Sequence, residues 1–239
     1  MLGRRLVIGK KPKDEAEKPF WISFADLMSA LMVLFLLAMS VAILAVTRTV
    51  SEVEHRKTAR HEEISTLLTQ LEEVATQYPG VTINRDKNVI DFGDHARFDS
   101  GSSRLSPERA RYIRAFLPQV LKLARDEPGN RWLKRIVVEG FADQRGDYLM
   151  NLNLSLQRSQ RVLCALLENV PERENRLSNA DKEKIRDLFL VGGYSFNSAK
   201  PSLEESRRIE LRLEYYELDE PQISNEDIRR GNFGVCRIK

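Results

Sequence analysis

The sequence predicts a mixed α/β (α+β) chain, with a single N-terminal transmembrane helix followed by a domain in which two helices cover a small mixed sheet. Residues 19–46 read PFWISFADLMSALMVLFLLAMSVAILAV, an apolar run with one ionisable side chain, Asp26. Beyond residue 80, short stretches with apolar residues at every second position alternate with stretches whose apolar residues recur every three or four. Strands that alternate with helices bury their apolar faces by laying the helices on the sheet.

The chain has 239 residues, enough to bury a sizeable core. Its net charge is +3 with 31% charged residues, an ordinary balance that points away from direct nucleic-acid binding.

Residues 1–19 carry Arg4, Arg5, Lys10, Lys11, Lys13 and Lys18, whereas Arg48, Arg56, Lys57 and Arg60 follow the apolar run. The bias predicts a cytoplasmic tail over 1–19 and everything past about Thr47 on the other side of the membrane. The predicted transmembrane helix is 20–46, since about 20 apolar residues span a bilayer. Trp21 stands where an interfacial aromatic anchor belongs. A cleaved signal peptide is the plainer reading of an N-terminal apolar run, but its core spans about 7–15 residues and carries no acid.

Asp26 lies about 9 Å past Phe20 along a helix, inside hydrocarbon, where ionisation costs several kcal/mol. Desolvation favours its protonated form, which is what an ion carrier requires. Ser23, Ala30, Val33, Leu37 and Ser40 share its face, with Ser23 and Ala30 placed to face a pore. That small, weakly polar face suits packing against other helices.

Residues 47–63 are charged, and His55 and His61 belong to a solvated helical stretch. Ile64, Leu67, Leu68, Leu71, Val74, Ala75 and Tyr78 then recur at helical spacing, so 47–79 reads as a linker helix whose apolar face pairs with a second copy or docks on the domain, with Pro79-Gly80 as the boundary of the outer domain over 80–216. Val81, Ile83, Ile90 and Phe92 around Arg85–Asn88 predict a hairpin. Ser106-Pro107-Glu108 starts a helix that runs to about Arg125. Ile136–Val138 is a buried strand, Ser155–Glu168 a second helix, Leu188–Val191 a strand, and Ile209–Leu213 the last. Residues 217–239 form a tail without clear structure. The two cysteines, Cys164 and Cys236, permit one disulfide in an oxidising compartment, with a buried thiol at Cys164 the alternative.

In residues 140–166, Asp143 follows a strand and Arg158 lies on the next helix, at one end of the sheet. A carboxylate suits a ligand ammonium and a planar guanidinium suits a carboxylate, so the pair suits the zwitterionic end of an amino acid. No nucleophile–base pair, phosphate-cradling loop or metal-ligand cluster stands out, so no enzymatic activity is expected.

The order G-F-A-D-x-x-G-x(4)-N-x-x-L-S-x-x-R, carried by Gly140, Asp143, Gly146, Asn151, Leu154, Ser155 and Arg158, resembles the OmpA-like peptidoglycan-binding pattern. DFGDHARFDSGSSRLSP resembles that family's first strand and turn, and Ser206–Glu210 its closing motif, so the resemblance covers about 81–215. It implies that Asp143 and Arg158 hold the diaminopimelate of a peptidoglycan stem peptide, with Asn151, Leu154 and Arg208 shaping the site. Ala142 and Ser206 depart from the usual threonine and asparagine, which implies fewer polar interactions with the ligand.

The membrane segment resembles the B subunits of MotB-like flagellar stators and, in length and wording, those of the Zorya anti-phage defence system. The resemblance implies Asp26 as the ion-carrying residue, a pentameric MotA-like A subunit as partner, a dimer of this chain, and a bacterial inner-membrane location with a periplasmic outer domain. It implies no cofactor beyond the transported ion, H+ or Na+, with H+ the family's choice. It also implies that the linker plugs the channel at rest. Flagellar rotation, or a purely structural tether between membrane and wall, is the alternative function.

Overall fold

The computed structural model describes residues 17–222, 231 and 233–236, with backbone alone at 17–20. Most of the expected cytoplasmic tail, residues 1–16, and much of the C-terminal tail, residues 223–230, 232 and 237–239, lie outside the described residues.

The first element, α1, is one helix from Glu17 to Ala75. No glycine or proline occurs between Phe20 and Tyr78, so nothing in the backbone chemistry breaks it. The chain divides into two compact units, Met1–Arg56 and Lys57–Lys239. The helical stretch expected before Pro79-Gly80 thus docks, over its last turns, on the domain that follows it. Leu67, Leu68, Leu71 and Ala75 are buried, and the last three join the core of the second unit. Four apolar residues on one stripe of a helix gain more from that core than a solvated linker offers, at about 25 cal/mol per Å² removed from water.

The second unit holds a five-stranded sheet of β1 (Thr82–Asn84), β2 (Val89–Asp91), β3 (Leu133–Gly140), β4 (Phe189–Gly193) and β5 (Ile209–Tyr215), in the order β1-β2-β5-β3-β4. The β1–β2 hairpin is antiparallel, with Ile83 opposite Ile90. Antiparallel β5 pairs with both β2 and β3, and β3 with β4 is the one parallel pair of the sheet. A parallel pair needs a crossover. It is made by α4 (Tyr148–Leu167) and α5 (Asn179–Leu188).

Helix α2 (Pro107–Leu123) starts as expected: Ser106 caps it by accepting the Arg109 N–H at 3.2 Å, and Pro107 takes the first position. Two one-turn helices, α3 (Gly129–Trp132) and α6 (Leu203–Ser206), lead into β3 and β5. Helices α2 and α4 pack on the sheet through Ile113, Phe116, Leu117, Val162 and Leu166 against Ile90, Ile136, Val138 and Leu211, and α5 and the end of α1 complete that layer. Phe116 packs T-shaped against Tyr78 and Phe92 at centroid distances of 5.1 and 5.5 Å.

Helix α4 begins seven residues before the expected start at Ser155. Asp147 is its cap, accepting the Met150 N–H at 2.8 Å. The first turn, Tyr148-Leu149-Met150, is exposed, so it lacks the inward apolar stripe that marks a helix in sequence. Gly140 lets the helix approach β3: a Cβ there would stand 1.9 Å from the Ser155 carbonyl oxygen.

Candidate functional site

On α1, an 18-residue window with a mean hydropathy of 2.7 makes it long and apolar enough to cross a membrane, by length and composition. Asp26 is the one ionisable side chain from Trp21 to Val46. Helical geometry places Ser23 and Ala30 three and four residues from it, on its face. The Ser29 and Ser40 hydroxyls each donate 2.7 Å bonds to their own helix, to Ala25 O and Leu36 O.

The second site lies where β3 runs into α4. Ser100, Gly101, Asp143, Arg145, Gly146, Met150, Asn151, Leu154 and Arg158 line a cleft of about 210 Å³. Four residues expected from the sequence, Asp143, Asn151, Leu154 and Arg158, thus meet in one place.

Asp143 is 6% exposed, and its carboxylate is ringed by donors. Oδ1 accepts the Arg145 backbone N–H at 3.1 Å, and Oδ2 accepts Arg145 Nη2 at 2.7 Å and Arg207 Nη1 at 3.1 Å. The Arg145 side chain above all, then its backbone N–H and Arg207, hold the carboxyl down at about 2 in spite of burial.

Arg158 is fully buried. Its Nε donates to Ser102 O at 2.9 Å, Nη1 to Phe141 O at 2.7 Å and Nη2 to Asp99 O at 3.1 Å, with the guanidinium 5.2 Å from the Phe98 ring centroid. Burial pulls its pKa down to about 10, partly offset by Asp143, so it stays cationic at neutral pH. Three of its five N–H groups are spent on the fold, which fixes the guanidinium. Asn151 donates to Arg145 O at 2.7 Å and thereby holds the loop under the cleft. Gly146, at φ +86°, turns that loop, and a Cβ there would stand 2.1 Å from Met150 Cε.

No family model matches the chain. It is 40% identical over 239 aligned residues, covering 95% of this chain and 97% of its relative, to Zorya protein ZorB from Escherichia coli O139:H28. The chain belongs to the ZorB family. Solved structures similar to this ZorB-family chain include the OmpA-like domain of FopA1 from Francisella tularensis, at 18% identity over 57% of this chain and 82% of that one, with a TM-score of 0.35. A MotB-like protein from Desulfovibrio vulgaris is 19% identical over 66% of this chain and 99% of its own, with a TM-score of 0.42.

In this ZorB-family chain Arg208 does not line the cleft, which corrects the sequence expectation. It pairs with Glu210 at 2.6 Å and lies 4.3 Å from the Phe141 ring centroid. The neighbour, Arg207, reaches Asp143 instead. Residues 207 and 208 lead into β5, where Arg208 makes an antiparallel bridge with Arg97, and successive side chains of extended backbone point to opposite faces. Two adjacent arginines gave no sign of which faced the site. Ser206 is also away from the cleft: its hydroxyl donates to Ser202 O at 2.9 Å and accepts the Lys200 N–H at 2.9 Å, so its departure from asparagine bears on that loop rather than on a ligand.

Arg145 and Ser100 are cleft residues that sequence reasoning missed. The signal for Arg145 was an opposite charge two residues beyond Asp143, at the spacing of an Asx turn. Cys164 on α4 and Cys236 in the tail form a disulfide with a Cα–Cα distance of 5.6 Å, which decides between the bridge and the buried thiol.

Proposed function

We propose that this chain is the peptidoglycan-anchored B subunit of a proton-driven, MotAB-like inner-membrane motor in anti-phage defence. The observation that carries the reading is that one chain, 40% identical to a Zorya protein, holds both Asp26, the one ionisable side chain from Trp21 to Val46, and a cleft built around Asp143 and Arg158.

Asp26 is the ion-carrying residue. In hydrocarbon its charged form costs several kcal/mol unless a partner helix stabilises it, so each proton gained or lost changes its attraction to the surrounding subunits and favours a new ring position. Ser23 and Ala30 face the pore. The partners are a pentameric MotA-like A subunit and a second copy of this chain.

Force needs a fixed point, which the outer unit supplies. Asp143 accepts the ammonium of diaminopimelate in a stem peptide, and the Arg158 guanidinium grips its carboxylate. Leu154 forms the apolar wall and Asn151 holds the floor. The disulfide supports a periplasmic location for this unit, with the N-terminus in the cytoplasm.

The test is phage protection in cells carrying the A and B genes with Asp26→Asn. The reading expects protection to be lost while the A–B complex still co-purifies. Full protection by that variant makes the chain a passive tether and overturns the motor.

A further inference from the structure

Three guanidinium groups surround Asp143, and they are held in different ways. Arg158 is tied to three backbone carbonyl oxygens, and Arg207 donates from Nε to Phe98 O at 2.9 Å. Neither leaves without unpacking the fold. The Arg145 side chain is 54% exposed, and its hydrogen bonds go to Asp143 and, at 2.8 Å, to Ser100 Oγ. Its backbone is pinned: the N–H donates to Asp143 Oδ1 and the carbonyl accepts from Asn151. The side chain can therefore swing away without moving the loop, a rotamer change of the fast kind.

Arg145 also stands where a ligand cation belongs. Asp143 shows little surface, and the half-exposed Arg145 guanidinium covers both carboxylate oxygens from the cleft side, with Nε 3.3 Å from each. We propose that Arg145 is a gate on this cleft: it occupies on Asp143 the place of an incoming primary ammonium, so that binding exchanges one cation for another. This inference rests on the reading of the cleft as a stem-peptide site.

The exchange acts on both affinity and selectivity. Affinity is reduced by the fraction of time the gate is open, and a gate closed about nine-tenths of the time weakens binding about tenfold. Selectivity rises, because a ligand must bring an ammonium to replace Arg145, and a ligand without one leaves the gate shut. Arg207 remains behind and keeps Asp143 ionised throughout.

The test is calorimetric titration of the full chain in detergent with a stem tetrapeptide whose diaminopimelate amine is free, and with the same peptide acetylated on that amine. Arg145→Ala is expected to bind the free-amine peptide about tenfold tighter than wild type, about 1.4 kcal/mol. Arg145→Gln, which keeps most of the side-chain stem, should shift the same way. Neither variant should gain on the acetylated peptide. Unchanged or weaker binding by both variants, with wild type still binding, overturns the gate and leaves the stem-peptide reading standing, as does an equal gain on both peptides. No binding by wild type or variants overturns that reading and the gate together.

Discussion

Trp132 Nε1 donates to Glu63 Oε2 at 2.6 Å, and the same carboxylate takes Arg131 Nη1 at 3.1 and 3.2 Å. One turn earlier on α1, Arg60 donates from Nε to Tyr216 O at 2.9 Å and lies 5.7 Å from the Trp132 ring centroid. With the core leucines Leu68 and Leu71, these contacts make the end of α1 a part of the second unit. Leu71→Ala should therefore destabilise that unit by about 2–4 kcal/mol, the usual range for a buried leucine. Urea unfolding followed by near-UV circular dichroism checks this. A change under about 0.5 kcal/mol would return residues 64–78 to the status of a linker.

The disulfide closes a span of 72 residues. Chain-entropy reasoning gives such a loop about 4 kcal/mol, with measured values commonly about 2–4. Cys236→Ser should lower the unfolding midpoint accordingly while leaving ligand affinity unchanged, because Cys236 does not line the cleft. Equal midpoints for variant and wild type in oxidising buffer would show that the bridge contributes nothing.

Acid should find Asp143. Its folded carboxyl sits at about 2, below its ordinary 3.8, so its contribution is complete above about pH 4 and is lost as pH falls toward 2. The shift corresponds to about 2 kcal/mol. Asp143→Asn should be less stable than wild type by about that much at pH 6, with the gap closing by pH 2. A gap of the same size at both pH values would mean that the ion pairs with Arg145 and Arg207 are not its source.

Arg208 and Glu210 are both buried, 5% and 8% exposed, and removing one partner of a buried pair costs about 3–5 kcal/mol. Arg208→Ala is expected to lose stability on that scale while the folded fraction keeps its stem-peptide affinity within about twofold. Unchanged stability with lost affinity would restore Arg208 to the binding site.

Most of the outer fold was legible because its strands and helices each carry a period. The hairpin and α2 followed from alternation, a serine cap and a proline. The unbroken α1 was signalled only by the lack of glycine and proline from residue 20 to 78, since its middle is charged and shows no stripe. The start of α4 was hidden by its exposed first turn. Asp143, Asn151, Leu154 and Arg158 were expected together from the resemblance to a family pattern, and the structure brings them to one cleft, but their separate contacts were not legible. Arg158 spends three donors on the fold, and Arg145 and Arg207 answer Asp143 through contacts that span 2 and 64 residues of sequence, which no local period encodes.

Proton flux is the most direct measurement of the central claim, that a single carboxyl group in the membrane helix carries the ion while its chain is held to the wall. Vesicles containing the A–B complex, loaded with a pH-sensitive dye and given an inward proton gradient and a potassium diffusion potential, should acidify with wild type. They should stay at the rate of empty vesicles with Asp26→Asn, in a complex of unchanged subunit composition. Acidification by Asp26→Asn at the wild-type rate would contradict the account.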